Sequence, residues 1–136
     1  MTKDWKEIAR AILEGAEADT MTFPESVRML MEGGFDGYAV DFRSATRTYY
    51  LPDGRTLELQ TVRLSVPVAE RFDAVVVKDA IREAQQMVPG YSYKKFCAKV
   101  MGAGCGGYIV SLLGKRVVYY GRTGEIHTEY FPGTKP

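Results

Sequence analysis

MEGGFDGYAVDFRSATRTYYLPDG, residues 31–54, decides the fold, because MGAGCGGYIVSLLGKRVVYYGRTG, residues 101–124, repeats its plan at an offset of 70. Met31, Gly34, Gly37, Tyr38, Val40, Tyr49, Tyr50 and Gly54 return as Met101, Gly104, Gly107, Tyr108, Val110, Tyr119, Tyr120 and Gly124. Over the ungapped overlay of residues 22–58 on 92–128 these are eight identities, where ordinary residue frequencies lead one to expect about two. An internal duplication is therefore expected. Within each copy a glycine-ended apolar stripe gives way to strict alternation, so a helix should run into strands.

In the first copy Tyr38, Val40 and Phe42 alternate with Ala39, Asp41 and Arg43. A two-residue turn at Ser44-Ala45 would return the chain through Arg47, Tyr49 and Leu51, with Val40 opposite Tyr49. Pro52-Asp53-Gly54 reads as a type I turn closed by a glycine bulge, a three-residue loop that sets Leu57 opposite Tyr49 and Leu59 opposite Arg47. Upstream, Thr22-Phe23-Pro24-Glu25 is a capping box. The helix it opens carries Phe23, Val27, Leu30 and Met31 on its apolar face and ends at Gly33-Gly34. Before it, residues 3–16 have Trp5, Ile8, Ile12 and Ala16 at helical spacing, with Gly15 as the stop signal.

The second copy replays this order. Asp73 caps a helix whose apolar side is Val77, Ala80, Ile81 and Ala84, stapled by Phe72 and broken at Pro89-Gly90. Ser92 caps the next, with Tyr93, Cys97, Val100 and Met101 inward, and strands follow at 106–113, 115–121 and 125–131. The expected fold is α+β: a two-layer sandwich, an antiparallel sheet covered on one face by helices, built from two helix-helix-three-strand units. The linking residues 63–71 are too apolar for a free tether, so halves 1–71 and 72–136 should form one domain, 1–136.

Composition narrows function less. The net charge of +1 divides unevenly: residues 1–70 hold 8 Lys/Arg against 12 Asp/Glu, net −4, and residues 71–136 hold 10 against 5, net +5. Lys94, Lys95, Lys99, Lys115, Arg116 and Arg122 read either as solvated charges or as a basic face for an acidic partner or phosphates, with nucleic acid disfavoured. Asp4, Lys6, Glu7 and Arg10 interrupt the only candidate signal segment, and no apolar run approaches the roughly 20 residues of a membrane helix. A cytoplasmic chain without a membrane span is expected.

No catalytic constellation, metal set or cofactor motif emerges. Gly102-Ala103-Gly104-Cys105-Gly106-Gly107 leads from helix to strand, the reverse of a dinucleotide loop, and lacks the P-loop lysine and hydroxyl. Cys97 and Cys105 stand where the first copy has Val27 and Phe35, so they read as buried hydrophobes. His127 and Glu129 stand where it has Leu57 and Leu59. With Tyr119 opposite His127 they form a candidate polar or ligand site, a general base or pH switch, unless that sheet edge is simply wetter. Tyr50 and Tyr120 must face away from the helices. Around Tyr120, the outward Ile109, Val118 and Leu113 make a surface unusually apolar for water, a candidate interface for a second copy, a partner protein or a small molecule, or a bed for the C-terminal tail.

Thr20-Met21-Thr22-Phe23-Pro24, Gly34-Phe35-Asp36-Gly37-Tyr38, Tyr49-Tyr50-Leu51-Pro52-Asp53-Gly54, Pro89-Gly90-Tyr91 and Tyr119-Tyr120-Gly121-Arg122-Thr123-Gly124-Glu125 resemble the YdfO/YbcV-like bacterial and prophage family often labelled "phage envelope protein". The resemblance implies a small α+β fold and a prophage setting, and brings no catalytic residues. The function expected from all of this is a non-enzymatic binding or interaction module. A ligand-binding or hydrolase-like protein centred on His127, Glu129 and Tyr119 is the alternative, and weak nucleic-acid binding by the basic half a third.

Overall fold

In the computed structural model, which describes residues 4–132, four helices cover one face of a six-stranded antiparallel sheet. The chain order is α1 (Trp5–Glu17), α2 (Phe23–Glu32), β1 (Gly37–Asp41), β2 (Thr46–Tyr50) and β3 (Thr56–Gln60). Then follow α3 (Ala74–Gln86), α4 (Tyr93–Gly102), β4 (Cys105–Ser111), β5 (Arg116–Gly121) and β6 (Ile126–Tyr130). The α+β class is as expected, and the helix-helix-meander order occurs twice.

The strand order β3-β2-β1-β4-β5-β6 joins the halves through β1 and β4 at the centre. Tyr38 pairs with Val110, Ala39 with Ile109 and Val40 with Tyr108. Ala39 and Ile109 are themselves 70 apart, so exchanging the halves maps this ladder onto itself. A pseudo-twofold axis therefore passes between them, and one continuous core lies under both halves. Alternation puts Tyr38, Val40, Arg47, Tyr49, Tyr108, Val110, Val117 and Tyr119 beneath the helices, all buried.

Helix caps follow the expected chemistry. The Thr22 hydroxyl accepts from the Glu25 amide while the Glu25 carboxylate accepts from the Thr22 amide. That bonding holds the Glu25 pKa below its ordinary value. Asp73 accepts from Val75 and Val76, and Ser92 from Lys95. The three-residue loop holds too: Leu51 N–H donates to Arg55 O, Gly54 has φ +92°, and Tyr49 faces Leu57 as Arg47 faces Leu59.

Four local expectations need correction. The first hairpin turns through four residues, 42–45, so Val40 faces Arg47 and Tyr38 faces Tyr49. The Asp41 carboxylate accepts from the amides of Arg43 and Ser44, and Ala45 takes φ +56°, so local bonding outweighs the two-residue turn. The slip is two residues, so no side chain changes face. Gly15 does not stop α1: it is buried in the last turn, where a Cβ would lie 2.8 Å from Met21 Cβ. On α2 the buried residues are Ser26 and Leu30, while Phe23 and Met31 lean outward and Phe23 instead meets Phe131 edge-on at 5.8 Å. α3 ends before Pro89-Gly90, at a left-handed Met87. The link between the halves is packed against the rest of the fold. Val68 is buried, Ala69 N–H donates to Met101 O, and Arg122 donates to Val68 O.

Candidate functional site

The helix-free face of the sheet is read directly from the register. Across β3-β2-β1-β4-β5-β6 its central row is Glu58, Thr48, Ala39, Ile109, Val118 and Thr128. The neighbouring row is Gln60, Thr46, Asp41, Gly107, Tyr120 and Ile126. The first half of these rows is mostly polar, Thr46, Thr48, Asp41, Glu58 and Gln60, with Ala39 as its one apolar residue. In the second half Ile109, Val118, Tyr120 and Ile126 adjoin, and the two isoleucines are 46% and 63% exposed. Their counterparts 70 residues earlier are Ala39, Thr48, Tyr50 and Thr56. No described element lies over this patch. The C-terminal tail, residues 133–136, once a candidate cover, lies outside the described residues.

Tyr120 lies flat on this face because Gly107 leaves room: a Cβ there would come within 2.8 Å of the Tyr120 ring. Burial against the sheet, and then the Asp41 charge, push the Tyr120 phenol up. Leu113 departs from the expected strand. β4 stops at Ser111, and Leu113 stands 82% exposed in the following turn beside Lys115. Ile109, Val118 and Tyr120 are therefore brought together on the sheet, with Leu113 at its rim.

His127, Glu129 and Tyr119 also meet, on the inward face of the edge strand β6. Tyr119 is opposite His127, the two rings are stacked with centroids 6.4 Å apart, and His127 Nε2 donates to Glu129 Oε2 at 2.7 Å. Burial raises the Tyr119 phenol far above its ordinary range. The trio lines neither of the two cavities described below. Among the described residues no three His, Cys, Asp or Glu side chains converge as a metal site.

The cysteines are buried and unpaired in disulfides. Burial pushes the Cys97 thiol up to about 12 and the Cys105 thiol to about 11. Neither is a thiolate at neutral pH, which removes the nucleophile a thiol chemistry would need.

Sequence reasoning missed Arg47. It is 1% exposed in the middle of the inner face, at the position occupied by Val117 in the other half. Its two terminal nitrogens donate to Tyr49 Oη at 3.2 Å and Tyr93 Oη at 3.0 Å, and its Cζ lies 4.6 Å from the Tyr38 ring centroid. Tyr93 Oη is 2.6 Å from Tyr108 Oη, and among the described residues Arg47 Nε is buried without a partner. Burial holds the Tyr93 and Tyr108 phenols well above their usual range, although Arg47 pulls them down. They are therefore neutral, and among the described residues the guanidinium has cation–π and phenol partners but no buried carboxylate. The signal that would have found it is the disagreement between copies, Arg47 against Val117.

Beside this cluster a cavity of about 220 Å³ opens between α4, the end of β1 and the segment after β3. Tyr93, Cys97, Met101, Val40, Phe42 and Leu64 form its walls, with Glu17 and Lys94 also lining it. A second hollow of about 340 Å³, at Asp4, Trp5, Lys6, Arg55 and Thr56, is bordered mainly by exposed side chains.

A family described as "Protein of unknown function (DUF1398)" matches residues 14–129. No curated protein matches the chain.

Proposed function

We propose that this chain, which belongs to the DUF1398 family of proteins of unknown function, is a non-enzymatic binding module that docks an acidic protein segment on the second half of its helix-free sheet face. The observation that carries this is the contrast between corresponding positions of one sheet. Ile109, Val118 and Ile126 stand where the first half has Ala39, Thr48 and Thr56, and the isoleucines are 46% and 63% exposed. Solubility alone favours the polar choice made in the first half, so the apolar choice calls for a partner.

Charge supports an acidic occupant. Lys115 and Arg116 stand at the rim of the patch, in the turn after β4 and at the start of β5, so a second copy docked patch to patch would bring these like charges together. The protonated thiols, and the position of His127 away from both described cavities, favour binding over catalysis. A prophage setting, in line with the YdfO/YbcV-like resemblance, fits a small module acting through another protein. Flanking phage genes would support that part.

The test is the size of the complex in which the chain is recovered from its host, read by light scattering on wild type, Ile109→Glu and Thr48→Glu. The reading expects one complex, weakened by salt, lost in Ile109→Glu and retained in Thr48→Glu. A monomer in every case, a self-dimer, or equal effects of the two substitutions would overturn it.

A further inference from the structure

We propose that the 220 Å³ cavity beside Arg47 is a second site, one that binds a small organic monoanion: a carboxylate on a compact apolar body. The first reason is the orphaned charge. A fully buried guanidinium is costly without an anion, and among the described residues Arg47 has neutral phenols as its hydrogen-bond partners and an unpartnered Nε. Packing does not demand it, since Val117 fills the corresponding place.

The second reason is position. Arg47 faces Val40 across the strands and bonds to Tyr93, and both Val40 and Tyr93 are walls of the cavity. The guanidinium is therefore one side chain removed from the empty space, in surroundings where charge is poorly screened. Arg47 donates to Tyr93 Oη, and the bond between Tyr93 and Tyr108 can run either way; where Tyr108 donates, the Tyr93 proton is left for an acceptor in the cavity. That ordering makes Tyr93 a polarised donor, and a carboxylate is its strongest acceptor.

The remaining charges set the ligand's valence. Glu17, whose carboxylate accepts from the Val62 amide at 2.8 Å, and Lys94 offset one another. Arg47 leaves one positive charge, matched by a single anionic group. Cys97, Met101, Phe42 and Leu64 supply apolar walls for the body. The volume is several times what a single water needs, which suits a short-chain carboxylic acid.

Calorimetric titration of the full chain with butanoate and hexanoate, against butanamide and hexanamide, tests this. The carboxylates should bind about tenfold or more tightly than the amides, as expected for a charge-assisted hydrogen bond. Arg47→Met should reduce the preference to within about twofold. Tyr93→Phe, which keeps the ring, should do the same and provides the reading if Arg47→Met does not fold. Equal binding of acid and amide, a preference surviving both substitutions, or no binding of any probe would overturn the proposal. None of these outcomes touches the docking face, whose test is independent.

Discussion

Arg47 is held by tyrosines rather than by a carboxylate, and that choice has measurable consequences. Replacing a buried ion by an apolar side chain of similar length is often neutral or stabilising. Arg47→Met should therefore leave stability unchanged or raise it by about 1–4 kcal/mol, whereas Tyr93→Phe should lower it by about 1–3 kcal/mol by removing the acceptor of a buried donor. Urea midpoints of the two variants check this, and a large loss in Arg47→Met would show that the guanidinium is structural. Arg47 was hard to read from sequence because alternation marks a position as inward without saying that a charge there keeps company with phenols. Tyr93 comes from another element, 46 residues away. His127 and Glu129 were easier: they lie two apart on one strand, so the register alone brought them together. Arg47 and Glu129 stand at counterparts of Val117 and Leu59, residues that face Glu129 and Arg47 in turn. Two side chains that would pair within one copy are thus divided between copies.

At the scale of elements, the helix ends carry the clearest expectations. Gly34 and Gly104 both adopt positive φ, +78° and +90°, after corresponding helices. Beyond Gly34 there is open space, but a Cβ on Gly104 would run into the Arg71 carbonyl and Phe72. Gly34→Ala should cost about 1–2 kcal/mol for the left-handed backbone alone, and Gly104→Ala distinctly more, as read by denaturant midpoints. Equal costs would mean that the link between halves yields easily. Asp73→Ala should cost about 1 kcal/mol through loss of the α3 cap. Caps and the glycine-closed hairpin were legible because their bonds are made within four residues. The four-residue turn was not, although its Asp41 bonds to the amides of Arg43 and Ser44 are equally local, because Ser44-Ala45 offers a competing two-residue turn that keeps every side chain on the same face. The outward lean of Phe23 was not either, since a helix stripe does not say how wide its partner surface is.

For the molecule as a whole, one core serves both halves, and its phenols and thiols are held protonated by burial. Tyr49 is pushed up to about 12 and Cys97 also to about 12, above the ordinary values of both groups. In the unfolded chain these groups lose protons first, so the folded state binds more protons over that window and stability falls as pH rises. Unfolding free energy should be level between neutral pH and about pH 8, then decline steeply toward 12. Tyrosinate absorbance of the buried rings should appear only with unfolding. A stability curve flat through that range would contradict the burial described here. The duplicated pattern made the architecture of this core legible, whereas the difference between the two outer faces acquires meaning only once the register aligns them.

The docking surface is tested most directly by placing a photo-crosslinking amino acid at Ile109 in one variant and at Thr48 in another, inside the host cell. The account predicts a discrete adduct with one acidic protein from position 109 and none from position 48. Adducts of equal yield from both positions, an adduct of the chain with itself, or none from position 109 would contradict it.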